Sequence, residues 1–154
     1  MRIVLSILLL LSVAPATAQT LERGNGPEPS TLDAHKCPEV ACGNILRDLY
    51  EGLVSKNGKG DIIPGMAERW EISADGRIWT FHLRDNLRWS NGEELSAGDI
   101  VRSFQRAFTP TTAAPFAEHF EAIENAGEIM RGEKPPSALG VSFTGGRTVT
   151  IKLK

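Results

Sequence analysis

Apolar and polar residues alternate along several parts of this 154-residue chain, and these parts predict strands. Residues 78–84 alternate most clearly, with three apolar side chains on one face: Trp79, Phe81 and Leu83. A period of two is typical of a strand with one buried face. Residues 148–153 follow the same pattern after a short apolar run at 141–143, and their inner face holds Val149, Ile151 and Leu153. A further strand is predicted from Leu53, residues 62–65 are a short apolar segment closed by a turn, and residues 67–72 fit either a short helix or a strand.

Apolar residues spaced three or four apart predict helices between these strands. Residues 96–108 form the best-specified helix, because Ser96 and Asp99 make a variant of the capping box and Pro110 stops it. Its buried face holds Ile100, Phe104, Ala107 and Phe108. A helix is also predicted at 43–52, and another opens at Pro115 with one apolar side: Phe116, Phe120, Ile123 and Met130. Together the elements predict a mixed α/β fold, with strands in hairpins and helices between them.

The first eighteen residues are typical of a secretory signal peptide. Arg2 supplies a positive start, residues 3–13 are almost wholly apolar, and Ala16-Thr17-Ala18 is a small-x-small cleavage site. The alternative is a transmembrane anchor, which needs about 20 apolar residues, and this run is shorter. Cleavage after Ala18 leaves no cysteine at the new N-terminus, so we expect no lipoprotein anchor there. The mature chain is predicted to lie in the periplasm.

The charge of the chain argues against nucleic acid as a partner. The formal net charge is −2, and loss of Arg2 with the signal peptide takes it to −3. Binding to a phosphate backbone relies on an excess of lysine and arginine, which this chain lacks. Residues 19–154 have the length of one domain and can bury a substantial core.

Cys37 and Cys42 are the only cysteines. In an oxidising compartment such a pair predicts a disulfide. Bridged cysteines have Cα atoms about 4.4–6.8 Å apart, so the chain must turn between them, and Pro38 suits a turn. Closing so small a ring contributes about 2 kcal/mol. The alternative is a metal site that uses both thiolates, but it needs further ligands, and only His35 is near in sequence.

No group of residues has the spacing of a catalytic or metal site. None of the histidines His35, His82 and His119 has a second histidine four residues on, and no nucleophile-elbow or phosphate-loop motif occurs. Asp33 is either a ligand or a turn cap, and we favour the cap because Asp readily bonds its own backbone in turns. His82 is expected in solvent, on the polar face of its strand. We therefore expect no catalytic residue, metal or cofactor, and a binding protein rather than an enzyme.

A series of short motifs runs in a fixed order through the chain. The motifs are Arg23-Gly24-Asn25-Gly26 with Glu28-Pro29 and Leu32-Asp33; Asn44-Ile45 with Arg47-Asp48-Leu49-Tyr50-Glu51-Gly52-Leu53; Pro64-Gly65-Met66-Ala67-Glu68 with Trp70; Trp79-Thr80-Phe81-His82-Leu83-Arg84; Trp89-Ser90-Asn91-Gly92; Asp99-Ile100-Val101; and Pro135 with Leu139-Gly140-Val141. Each motif alone is weak, but the ordered set is specific. It resembles the bacterial extracellular solute-binding proteins of family 5, which include the periplasmic oligopeptide- and dipeptide-binding proteins of ABC importers.

The resemblance implies the N-terminal part of a two-lobed type II (cluster C) periplasmic-binding-protein fold. Residues 19–60 would begin the first large lobe, and residues 61–154 would form a truncated small mixed α/β domain whose core holds Trp70, Trp79 and Trp89. The implied function is to bind oligopeptides in extended form and deliver them to the permease subunits in the inner membrane, as a monomer. Pairing of the ligand with protein backbone gives affinity without reading the peptide's sequence.

The resemblance also implies which residues contact the ligand. Pro38, Glu39 and Val40 match the segment whose backbone pairs with peptide, and Phe116 matches an aromatic residue, usually Tyr, beside the ligand. The cysteine pair lies in the first of these segments. We therefore hypothesise that a disulfide between Cys37 and Cys42 stiffens the ligand-facing loop.

Other functions stay open at this point. Relatives on the same scaffold bind dipeptides, murein peptides, nickel complexes or haem. A stand-alone envelope interaction domain is a second hypothesis, and an exported hydrolase whose catalytic part lies elsewhere is a third. Members of the family are much longer than this chain, so we expect a fragment of such a protein, with most determinants of peptide specificity outside it.

Overall fold

A computed structural model of the chain describes Thr20 and residues 22–154. The predicted signal peptide and its cleavage point after Ala18 lie outside the described residues. Across the part that is described, no helix combines the length and the apolar character that a membrane crossing requires.

Three α-helices and six strands form the regular structure of the described residues. The helices are α1 (Val40–Leu49), α2 (Ala97–Phe108) and α3 (Ala126–Met130). The strands are β1 (Val54–Lys56), β2 (Ile62–Pro64), β3 (Ala67–Ile72), β4 (Ile78–Leu83), β5 (Val141–Thr144) and β6 (Thr148–Lys152). Short 3-10 turns cover Pro110–Thr112, Ala117–Phe120 and Pro136–Ala138. The predicted mixed α/β class is confirmed, and the ambiguous residues 67–72 are a strand.

Strands β3, β4, β6 and β5 form one antiparallel sheet in that order. A tight turn joins β3 to β4, and Gly76 in this turn has a φ of 73°, which glycine adopts without strain. Phe81 of β4 lies opposite Trp70 of β3 and Val149 of β6. Directly opposed residues share a face of the sheet, so the alternating apolar residues of the three strands gather on one side. β1 and β2 form a separate two-stranded hairpin.

Helix α2 packs against β5 and β6 and closes the apolar face of the sheet. Its residues Ile100, Val101 and Phe108 are buried in one cluster with sheet residues and with Ile129 of α3. Phe108, Ile129 and Val149 are among the largest fully buried side chains. Burial of a side chain of this size contributes about 1.5–3 kcal/mol. This cluster is therefore the main source of stability in the sheet domain, by which we mean residues 62–154.

The start of α2 is fixed by the predicted capping residues. The Asp99 carboxylate accepts hydrogen bonds from the backbone N–H of Ser96 at 2.8 Å and from its hydroxyl at 2.7 Å. The bond from the Ser96 backbone is the largest cause that holds the pKa of Asp99 below its usual value, and the hydroxyl bond comes second. The helix ends at Phe108, two residues before Pro110. The sequence prediction for α2 is confirmed at both ends.

Two predicted helices differ from those observed. Helix α1 spans Val40–Leu49 rather than 43–52. Its first turn includes Cys42, which is bonded to Cys37, and the extended backbone of Tyr50 ends it. The continuous helix predicted from Pro115 is wrong. A 3-10 turn at Ala117–Phe120 and the separate helix α3 replace it, and Asn125 between them has a left-handed φ of 64° that interrupts an α-helix.

Two aromatic predictions also need correction. Trp70 and Trp79 are half-buried and flank Phe81, with ring centroids 6.5 and 6.4 Å away. Trp89 is 41% exposed in a turn, so its predicted place in the core is wrong. His82 is not freely solvated either, because its Nε2 lies 3.3 Å from Oε1 of Glu71 on the neighbouring strand β3 and the ring is mostly covered.

Candidate functional site

Asp33 organises a turn just before the predicted ligand-facing segment. Its Oδ1 accepts a hydrogen bond from the backbone N–H of His35 at 3.1 Å, and its carbonyl oxygen accepts the N–H of Lys36 at 2.9 Å. The hydroxyl oxygen of Thr31 accepts the N–H of Asp33 at 3.0 Å. A side chain that bonds the backbone two residues on is typical of an Asx turn. Asp33 is therefore a turn cap, as its position in the sequence predicts.

The same carboxylate also binds helix α2. Arg106 donates from Nη1 and Nη2 to the two carboxylate oxygens of Asp33 at 2.7 and 2.6 Å. The bond from Arg106 is the largest cause that holds the pKa of Asp33 well below its usual range, and the backbone bond from His35 comes next. Such two-point pairing fixes orientation as well as distance. The charge of Asp33 is thus already compensated within the protein, which leaves it poorly suited to bind a cationic ligand group.

His35 gives the turn a second contact with α2. Its Nε2 lies 3.1 Å from the Ser103 hydroxyl, and its Nδ1 lies 2.5 Å from Nη1 of Arg106. A guanidinium can only donate, so Nδ1 must be the acceptor and the proton of the neutral ring lies on Nε2. Burial is the largest cause that lowers the pKa of His35; Arg106 adds to the effect and Asp33 opposes it. The ring is therefore neutral at pH 7.

Pro38, Glu39 and Val40 follow this turn and are exposed. Val40 is the first residue of α1 and is 76% exposed, and Glu39 before it has extended backbone. Cys37 and Cys42 form a disulfide, with Cα atoms 6.0 Å apart, that closes a ring containing these three residues and Ala41. Both cysteines are buried, Cys42 completely. The ring thus holds the predicted contact residues at the surface while its cross-link faces inward.

Phe116 lies on the wall of a mainly apolar cavity of about 210 Å³. The walls come from the turn, from α2 and from the loop that follows α2, and they include Ala34, His35, Phe104, Ala107, Phe116 and Phe120. Phe116 is 52% exposed. Pro38, Glu39 and Val40 do not line this cavity. The structure therefore brings Phe116 to the turn that precedes the ligand-facing segment, and not to the segment itself.

Among the described residues, one group of potential metal ligands includes a predicted contact residue. Cys37, Glu39 and Cys42 place potential ligand atoms within 4.8 Å of one another, but the disulfide leaves no thiolate, which is the form that binds metals. A wider depression of about 510 Å³ lies beside the end of α1, lined by residues 47–52 with Val54 and Ser55. Glu51 in this depression is paired with Arg84. No predicted contact residue lines it.

Ser103 and Arg106 belong to the site although no sequence motif predicts them. They lie 68 and 73 residues from their partners His35 and Asp33, so no local pattern joins the two sets. Residues three apart share a face of a helix, so Ser103 and Arg106 lie together, but on the exposed side of α2, where polar residues are ordinary and give no signal of a partner.

Comparison with known proteins gives the family of this chain. The model of the bacterial extracellular solute-binding proteins, family 5 (middle region), matches residues 61–154. The chain belongs to this family, and the resemblance stated from its motifs is confirmed. It is 43% identical over 140 residues to the periplasmic oligopeptide-binding protein OppA of Salmonella typhimurium, which covers 90% of this chain and 26% of OppA. It is 42% identical over 141 residues to the probable deoxycholate-binding periplasmic protein YgiS of Escherichia coli, with coverage of 90% and 26%.

A solved structure agrees with the fold. The murein tripeptide binding protein MppA of Escherichia coli superposes with a TM-score of 0.79 at 43% identity, over 82% of this chain and 25% of MppA. The predicted periplasmic-binding-protein fold is confirmed by this likeness. The chain spans about a quarter of the length of the relatives it matches.

Proposed function

We propose that this chain is part of the periplasmic substrate-binding component of an ABC-type peptide importer. In this function the protein binds oligopeptides in extended form and delivers them to permease subunits in the inner membrane. The observation that carries the proposal is the 43% identity to an oligopeptide-binding protein across 90% of the chain. The relatives named above are binding proteins, which supports a role in binding rather than catalysis.

The exposed predicted contact residues support a ligand surface. Val40 and Phe116 are large apolar side chains that the described residues leave open to solvent, and such exposure often marks a binding surface. Glu39 has φ −103° and ψ 154°, which is the backbone conformation of a strand. An extended peptide can pair with backbone of this kind as an added strand. We therefore assign Pro38, Glu39 and Val40 to backbone pairing and Phe116 to contact with a ligand side chain.

The same proposal covers the domain organisation of the chain and its cellular location. Residues 19–60 begin the first large lobe, and residues 61–154 form the small domain. The buried members of the apolar cluster, from Ala67 to Val149, lie in the second range, and Leu53 and Val54 of the first range pack against them. Residues 1–18 direct the chain to the periplasm, where its relatives are named as working. The protein acts as a monomer and does not bind nucleic acid.

Isothermal titration calorimetry of the complete translation product of the gene tests the proposal. A mixture of short peptides is expected to give saturable heat, and no heat with any peptide would refute the assignment. Phe116→Ala is expected to weaken peptide binding about tenfold, which corresponds to about 1.4 kcal/mol. Phe143→Ala is the matched control, because Phe143 is equally exposed at 52% but lies on β5 outside the cavity lining.

A second candidate is an amphipathic small molecule with a large apolar face, in place of a peptide. One relative at 42% identity is named for deoxycholate, and the cavity beside Phe116 has mainly apolar walls. The calorimetry therefore includes deoxycholate and a murein tripeptide as separate titrants. Heat with deoxycholate alone would favour this second candidate. Heat with none of the three would favour a stand-alone envelope interaction domain.

A further inference from the structure

The polar contacts between the N-terminal segment, residues 22–49, and the sheet domain are concentrated in one turn. Among the described residues, every hydrogen bond or ion pair that joins this segment to the sheet domain is made by Asp33 or His35. Their partners Ser103 and Arg106 lie one helical turn apart on α2. The polar attachment of residues 22–49 to α2 therefore depends on two side chains, which we call the clamp. The chain directly after α1 is attached separately, because Glu51 pairs with Arg84 and the carbonyls of Gly52 and Leu53 accept the N–H groups of Met66 and Ala67.

The His35 contacts of the clamp require a neutral ring. Its Nδ1 accepts from Arg106 at 2.5 Å, and its Nε2–H donates to Ser103 at 3.1 Å. Protonation of Nδ1 would place an N–H group against an N–H group of Arg106 and remove the acceptor. The imidazolium would then be repelled by the guanidinium at close range.

The charges around His35 favour the neutral form of its ring. Arg106 on α2 lies closer to Nδ1, at 2.5 Å, than the carboxylate of Asp33 on the turn, at 4.0 Å. The loop after α2 presents the apolar side chains Phe116 and Phe120 to the cavity that His35 lines. The same loop carries the titratable groups Glu118, His119 and Glu121, and the His119 ring packs against Phe116 with centroids 5.6 Å apart. Attraction from Asp33 is thus opposed by a nearer arginine and by apolar walls.

We propose that Asp33 and His35 are positioning residues that clamp the Pro38–Val40 segment to α2 beside Phe116, and that protonation of His35 weakens the clamp. Cys37 begins the disulfide ring two residues after His35, so a shift of the turn carries the ring with it. Acidification then loosens the ligand-facing segment. In what it says of the ligand, this inference rests on the proposed function.

The direction of the pH effect follows from the lowered pKa of His35. A lowered pKa means that the clamped state favours the neutral ring. The contribution of His35 to the clamp is therefore complete above about pH 6.5, the ordinary value, and is lost as the pH falls toward the lowered pKa. One pH unit below the ordinary value, the clamp equilibrium weakens by at most about tenfold.

Imidazole ¹⁵N NMR of the unaltered protein gives the first test and needs no variant. At pH 7.5 we expect Nδ1 of His35 to resonate as an unprotonated nitrogen and Nε2 as a protonated one. The opposite tautomer, or a charged ring at this pH, would overturn the proposal.

Amide exchange of His35, Lys36 and Gly43 gives the second test, because the first two report on the turn and the third on the start of α1. After correction for intrinsic rates, exchange in the unaltered protein is expected to accelerate severalfold between about pH 7.5 and pH 5.5. In His35→Gln, which keeps an amide donor and acceptor but does not titrate, this pH dependence is expected to vanish. His119→Gln is the matched control and is expected to retain it. Equal pH dependence in all three proteins would refute the clamp.

The ligand is tested separately, by calorimetry with the peptide mixture at the same two pH values. Affinity that falls with the loosening of the turn in the unaltered protein, but not in His35→Gln, supports the positioning role. If amide exchange depends on pH while the peptide affinity does not, that role is overturned. If amide exchange depends on pH and no peptide binds at any pH, the clamp is supported and the proposed function is refuted.

Discussion

The sheet domain and the N-terminal segment are held in different ways. The sheet domain buries one continuous apolar cluster that includes Phe81, Phe108 and Val149. The N-terminal segment instead relies on a disulfide within itself and on the clamp to α2 for its polar attachment. Apolar burial is insensitive to charge, whereas a partly exposed ion pair responds to pH and salt. The stability of the sheet domain, which the family model matches, therefore depends little on pH and salt, whereas the attachment of the segment nearest the proposed ligand surface depends on both.

The largest expected effect comes from the core of the sheet domain. Phe108→Ala removes a buried ring that touches the sheet and leaves a cavity, so we expect the free energy of unfolding to fall by about 3–5 kcal/mol. Chemical denaturation monitored by tryptophan fluorescence measures the change. Phe143→Ala serves as the control, because Phe143 is half exposed and its loss leaves no enclosed cavity. Similar losses in the two variants would contradict the comparison between core and surface.

The disulfide comes next, and its effect is expected to stay within the N-terminal segment. Replacement of Cys37 and Cys42 by serine removes a cross-link worth about 2 kcal/mol from a short ring. We expect faster amide exchange at Gly43, whose N–H bonds Glu39 within this ring, and unchanged exchange at Val149 in the sheet. Peptide affinity that is the same in the serine variant would count against the hypothesis that the disulfide stiffens the ligand-facing loop.

The sequence pattern correctly predicted the helices and strands that are determined by interactions between residues close together in the chain. The alternation around Phe81 is decided by one buried face, and the pair Ser96 and Asp99 fixes the start of α2 by bonds within one turn. The helix predicted from Pro115 failed because the apolar spacing of Phe116 and Phe120 comes from a cavity wall rather than from a core. Nothing in that spacing indicates that Asn125 adopts a left-handed conformation.

The candidate site was predicted only in part for the same reason. The turn cap Asp33 follows from its own residue type, since aspartate bonds nearby backbone. Its pairing with Arg106 spans 73 residues and depends on how the chain returns past α2. The burial of His82 likewise depends on Glu71 of the neighbouring strand, whose register is set by the hairpin. Contacts of this kind are set by tertiary packing, which periodicity does not encode.

A smaller effect is expected from the cap of α2, which shows how much a polar contact contributes inside the sheet domain. Asp99→Ala removes the acceptor of both Ser96 bonds, and loss of such a cap costs about 1 kcal/mol. Arg102→Ala is the control, since it removes only the exposed ion pair to Asp99, and exposed pairs contribute little. Thermal unfolding of both variants measures the difference. A loss in Arg102→Ala as large as that in Asp99→Ala would show that the ion pair, and not the cap, stabilises the helix.

The smallest expected effect is also the most selective one. Raising the salt concentration from about 0.1 M to 1 M shortens the screening length from about 10 Å to 3 Å. The pair of Asp33 and Arg106 is partly exposed, so we expect exchange at His35 and Lys36 to accelerate about twofold while exchange at Val149 stays constant. Asp33→Asn can still cap the turn but carries no charge, so its turn is expected to exchange faster at low salt and to show no salt response. If the variant responded to salt as strongly as the unaltered protein, the attachment would not depend on this ion pair, and the contrast between an apolar domain and a charge-held segment would fail.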